Sequence, residues 1–190
     1  MAQEEPINTF EAIMDHVAQG HDPAGDRRPI RVDSLGYLLP PPPRAGFRAN
    51  IAVVAGGSGF AVELVPGAGI RCFVHSVFLT KPTVSITTNL IKNSTASTGG
   101  TSTNGAKIPT DSQKPASGTL VKLFTAIPTA GTAVGTLALC VLDPTDWMQF
   151  IFGADGEPPL VLHGPSETLA VNVSAAATIA GFIAWSEEQL

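Results

Sequence analysis

Thr83-Val-Ser-Ile-Thr-Thr-Asn-Leu-Ile91 alternates: Val84 and Ile86 point one way, Ser85 and Thr87 the other. Period two is the mark of a strand with one face on a core. Val134-Gly-Thr-Leu-Ala-Leu-Cys-Val-Leu142 is apolar on both faces instead. Working outward from these two, short apolar runs bounded by Gly, Pro, Asn and Asp recur from Asn50 onward. They predict strands near 50–55, 59–65, 69–80, 83–91, 118–127, 134–142, 147–152, 159–163, 168–174 and 179–187. No helical pattern separates them, which points to an antiparallel sandwich or barrel. The number of strands suits a jelly roll. Between two predicted strands lies Lys92-Asn-Ser-Thr-Ala-Ser-Thr-Gly-Gly-Thr-Ser-Thr-Asn-Gly-Ala-Lys107, with no large apolar residue. It reads as a long polar loop over 92–117. Three states are open to it: a disordered tip, a loop ordered only in an assembly, and a host-facing tip.

Composition fits this reading. The chain has 190 residues, 44% hydrophobic and only 14% charged, with 19 Gly and 16 Pro. The charged share is well under the usual quarter, a hint that part of the surface is covered in an assembly. The charges are also unevenly placed. Residues 123–190 hold seven acids and no Lys or Arg, and five of the six arginines lie between Arg27 and Arg48. Nucleic-acid binding needs a basic face on the folded domain, so no nucleic-acid partner is expected. No apolar run approaches a membrane span of ~20 residues, so no membrane partner is expected. The opening MAQEEPINTF has neither a basic nor an apolar leader region, and no signal peptide is expected. Cys72 and Cys140, inside apolar runs, read as buried thiols.

Residues 1–48 read as an extended N-terminal arm and 49–190 as the sandwich domain. Phe10, Ile13, Met14 and Val17 fall at i, i+3, i+4 and i+7, one apolar stripe of a helix over about 9–19. Asn8 can cap it, with Glu11 three residues on, and Gly20 suits its end. Pro40-Pro-Pro-Pro43 predicts a stiff polyproline strut. The stripe, with Arg27, Arg28, Arg31, Arg44 and Arg48, is the candidate partner-binding set.

Catalytic and cofactor motifs fail on spacing. In Gly100-Thr-Ser-Thr-Asn-Gly-Ala-Lys107, Ala106 stands where a P-loop needs Lys. Ala55-Gly-Gly-Ser-Gly-Phe60 lacks the last Gly of a nucleophile elbow and the third Gly of a dinucleotide fingerprint. Cys72 and His75 lie three apart, on opposite faces of a strand, so they cannot share a metal. Asp143, Asp146, Asp155 and Glu157 could gather a Ca²⁺ but match no EF-hand loop, and turn chemistry accounts for them. The expectation is no enzyme, no cofactor and no metal.

Several turn signatures occur in a set order: Pro109-Thr-Asp111-Ser112, Pro128-Thr-Ala-Gly-Thr-Ala-Val-Gly-Thr136, Pro159-Leu-Val-Leu-His-Gly164 and Leu169-Ala-Val-Asn172. With the closing "GFIAWSEE", they make residues 60–187 resemble small β-sandwich virion proteins of tailed bacteriophages. The resemblance implies a jelly-roll capsid decoration (cement) protein on the capsid surface, made in the host bacterial cytoplasm. It implies the major capsid protein as partner and self-association as a homotrimer. The alternative is a head-fibre, tail-fibre or baseplate adhesion module that binds host glycan.

Overall fold

A computed structural model describes residues 19–21, 27–29, 45–111, 116–153 and 159–189. The chain divides into two units, Met1–Pro43 and Arg44–Leu190. In the first, β1 (Gln19–His21) pairs antiparallel with β2 (Arg27–Pro29), with Gly20 opposite Arg28. Gln19 and Gly20, expected at a helix end, therefore stand in a short strand. The rest of the expected helix, and the strut at 40–43, lie outside the described residues.

The second unit is all β, in two antiparallel sheets. Sheet I holds β3 (Ala45–Ala55), β5 (Ile70–Thr80), β8 (Lys107–Pro109), β11 (Trp147–Ile151), β12 (Leu160–His163) and β14 (Ala177–Gln189). Its order is β11-β5-β14-β3-β8, with β12 beside β5 where β11 ends. Sheet II holds β4 (Gly59–Val65), β6 (Ile86–Asn93), β7 (Thr101–Asn104), β9 (Leu120–Ala126), β10 (Ala133–Leu142) and β13 (Thr168–Val173). Its order is β10-β6-β13-β4-β9-β7.

Alternation dictates which side chains meet between the sheets. In β3, Phe47, Ala49, Ile51, Val53 and Ala55 are buried, while Arg48, Asn50, Ala52 and Val54 are exposed. Ile86, Leu90, Val121, Leu169 and Val171 meet them from sheet II. Phe47 stacks on Trp185 within this layer, ring centres 5.9 Å apart. Each Val, Leu, Ile or Phe side chain among them contributes ~1.5–3 kcal/mol by leaving water. Cys72 and Cys140 are free and buried, and burial, with Glu187's charge as a second cause, pushes the Cys72 thiol far up.

One irregularity in β5 resets that alternation. Val74 pairs with Trp185 and Ser76 with Ala184, so His75 is an extra residue in the strand. It bulges outward, where its ring Nε2 lies 2.9 Å from Ser186 Oγ. A bulge lets Cys72 and Val74 before it, and Val77 and Leu79 after it, all face the core. The Cys72–His75 pair is thereby split between inside and outside.

The expected loop over 92–117 is corrected. It contains two strands: β7 joins sheet II beside β9, and β8 joins sheet I beside β3. The segment passes from one sheet to the other and closes one lateral end of the sandwich. The opposite end is formed by β10 and β11, with no further strand beyond them among the described residues. Val84, expected on the same strand face as Ile86, is instead exposed in the turn before β6, while Ile86 is buried.

Candidate interaction surface

The outer face of sheet II carries a small apolar cluster of its own, Phe60, Phe124 and Ala170, with Ile91 against it. Glu63 sits in the same face, opposite Ala170 on one side and Lys122 on the other, and is fully buried. An uncompensated buried carboxylate would cost several kcal/mol. Here Ser97 donates to it through its backbone N–H (2.9 Å) and its hydroxyl, Thr168 Oγ1 donates at 2.9 Å, and Lys122 Nζ lies 3.9 Å away. Ser97 belongs to the polar stretch that follows β6. That stretch is laced to the segment before β10. Thr98 and Thr129 exchange both backbone hydrogen bonds, Ser94 N–H donates to Thr132 O, and Thr132 N–H donates to Thr95 Oγ1. Residues 94–100 and 127–132 therefore form a strap over sheet II. The lack of large apolar residues in 94–100 suits that half of it: short Ser and Thr side chains bring hydroxyls and backbone close to a carboxylate.

The outer face of sheet I is built differently. Its register sets out three cross-strand rows over β11, β5, β14 and β3. They are Gln149–Phe78–Phe182–Asn50, Trp147–Thr80–Ala180–Ala52 and Ile151–Ser76–Ala184–Arg48. Of these twelve positions only Arg48 is charged. An antiparallel sheet facing water on one side normally turns polar residues outward. Here Trp147 is 66% exposed and Ile151 61%. A row of stacked groups crosses the face: Trp147 on Phe78 (5.9 Å), Phe78 on Phe182 (5.2 Å), and the Arg48 guanidinium 3.6 Å from the centre of the Phe182 ring.

At the sandwich end near β14, Glu187 receives the Ser117 hydroxyl (2.5 Å), the Trp185 indole N–H (2.8 Å) and the backbone N–H groups of Gly118 and Thr119. Burial pushes this carboxyl up. The hydrogen bonds of Ser117, Thr119, Trp185 and Gly118 together outweigh it and hold the group below the ordinary carboxylate range. Glu167 is held low in the same way: burial opposes, and His163 and Lys92, the latter at 3.2 Å, prevail. Both carboxylates fasten loops to strand ends.

Arg48, expected on the arm, lies within β3 on the sandwich itself. Arg27 and Arg28 are placed in β2. Phe10, Ile13, Met14, Val17, Arg31 and Arg44 lie outside the described residues, as do Asp155 and Glu157 of the proposed ion loop. Trp147, Phe78 and Phe182 were missed from the sequence. Their signal was parity: each is an aromatic residue out of phase with the core positions of its own strand. Comparison with protein families, with curated proteins and with solved structures finds no match to this chain.

Proposed function

We propose that the chain is a non-enzymatic virion structural protein, a capsid decoration protein that binds the outer capsid shell as a homo-oligomer and stabilises it. The observation that carries this reading is the twelve-position grid on the outer face of sheet I, where Arg48 is the one charged residue and Trp147 and Ile151 are exposed. Contiguous apolar surface of this kind marks interaction sites. Trp and Arg are enriched among the side chains that dominate binding energy, and both sit in the aromatic row. The strand order supports a jelly roll: β3-β14-β5 followed by β11 and β12 in one sheet, and β4-β13-β6-β10 in the other. That order fits the interleaving expected of two four-stranded Greek keys, with β7, β8 and β9 added. Fold alone does not assign function, and the resemblance of residues 60–187 to phage virion proteins is the second support.

Glycan binding is the less favoured reading. A sugar stacks on an open ring face. The faces of Phe78 and Phe182 are turned to each other, to Trp147 and to Arg48, so these two rings offer edges, and Trp147 at the end of the row is the one ring of the three without a second stacked group. The major capsid protein is the proposed partner. The arm residues Phe10, Ile13, Met14 and Val17 are a proposed second anchor, with Arg27, Arg28, Arg31 and Arg44 at its rim.

The test is pelleting with emptied virus particles that lack this chain. Trp147→Asp and Ile151→Asp, both at exposed positions, should fold normally and lose particle binding. Full binding by both variants would remove the sheet I face from the contact. Deleting residues 1–36 should weaken binding and leave the sandwich folded.

A further inference from the structure

The two lateral ends of the sandwich are finished differently. One ends in β7 and β8, of four and three residues, which carry Thr, Ser, Asn, Lys and Pro. Short, polar, Lys- or Pro-bearing edge strands are the usual guard against unwanted pairing. The other ends in β10, ten residues long, with no charge and no Pro. Leu139 is 65% exposed and Val141 58%. Beyond β6, no strand of the described residues satisfies its outer row of backbone N–H and C=O groups. Such an edge is a template for another strand.

We infer that β10 is a contact between copies of this chain, its edge pairing antiparallel with the β10 edge of a second copy about a two-fold axis. This supplies the contact for the homo-oligomer in the proposed function and rests on that reading only for its biological role. Three observations select a second copy as the occupant. First, the other free edges among the described residues are β1, β2, β7, β8, β11 and β12, all five residues or fewer. Within this chain β10 matches only itself in length. Second, register shifts at Val134 and Leu137 leave Ala138–Leu142 as the regular stretch, centred on Cys140. Pairing about that centre sets Leu139 against Val141 of the second copy, twice, with no charged residue opposite another. An isologous contact needs such self-complementarity. Third, the nearest acid, Asp143, then lies opposite Leu137, so the two copies of Asp143 are roughly 20 Å apart at ~3.4 Å per residue. That exceeds the screening length of about 8 Å at physiological salt, and the acidic half of the chain does not forbid the contact.

Light scattering on the full chain at tens of micromolar tests this. The expected mass is twice the 19.6 kDa chain, and Leu139→Lys combined with Val141→Lys should return it to one chain that still unfolds cooperatively, with a melting temperature that no longer depends on protein concentration. Ile108→Lys, in β8 at the opposite end, should leave the doubled mass in place. Amide exchange reports on the wild type without any substitution: protection within 138–142 should rise with protein concentration. A monomer, a trimer, loss of the doubled mass by Ile108→Lys, or loss of it on deleting residues 1–36 would each overturn the inference. A wild-type monomer that still pellets with emptied particles would sink the edge contact and spare the capsid reading. A dimer that ignores particles would do the opposite.

Discussion

The two outer faces of this sandwich solve the same problem in opposite ways. Both sheets turn apolar groups away from the central layer. Sheet II covers Phe60, Phe124 and Ala170 with the chain's own strap and fastens that strap to the buried Glu63. Sheet I leaves Trp147 and Ile151 in water and supports Phe78 and Phe182 only by stacking. Covering that part of the face from within adds stability and removes it as a binding surface, while Leu139 and Val141 at the β10 edge of the same sheet stay exposed. Leaving a face bare keeps it for a partner. Mutations on the strap side should therefore register in stability, and mutations on the bare side in binding.

Glu63→Ala should break that contrast most severely. It leaves Ser97 and Thr168 donors buried without an acceptor, at about 3–5 kcal/mol in total. Urea unfolding measures it, and a loss under 1 kcal/mol would mean that the strap is not held by this carboxylate. Gly131→Ala comes next. An added Cβ would collide with the Thr95 carbonyl oxygen, so the lacing must shift. A cost of about 1–3 kcal/mol is expected by analogy with overpacking, read from the same unfolding curves.

Acid sharpens the contrast without mutation. Glu187 and Glu167 are both held below their ordinary value of 4.5. The unfolded chain therefore binds more protons than the folded one below that value. Their contribution should be complete above pH 4.5 and fade as pH falls through the lower folded values. Melting temperatures between pH 7 and pH 3 check this. The smallest stability effect is expected from Arg48→Ala. Loss of an exposed guanidinium over Phe182 costs about 0.5–1 kcal/mol, and a larger loss would show that the bare face is structurally essential.

Much of the sandwich was legible before the structure, for a physical reason. Strands with one face on a core must alternate, and runs such as Phe60–Val65 and Leu169–Val173 are too apolar to lie anywhere but inside. What escaped was whatever the core does not pay for. β7 and β8 are held by backbone ladders at sheet edges, so Thr101–Asn104 needs no apolar residue and shows no pattern. Val134–Leu142 looked like a strand buried on both faces and is an edge strand with one face in water. Periodicity reports what a strand could bury, and its neighbours decide what it does bury. A lone acid within Phe60-Ala-Val-Glu-Leu-Val65 was a readable sign of a buried carboxylate, since charge seldom enters such a run without a partner.

The position of β14 carries a consequence for synthesis. It lies between β3 and β5, with Ala45 paired to Glu187. Sheet I therefore has no centre until the chain has grown past residue 189. At 5–20 residues per second, β3 waits on the order of 10 s after leaving the ribosome for the strand it pairs with. Meanwhile Phe47, Ile51 and Val53, core residues in the finished sandwich, have no stable place to go. Non-local pairing of this kind also folds slowly. The nascent chain must be shielded through that interval, and a stop codon anywhere before Ala177 should yield aggregates in place of a smaller soluble sandwich.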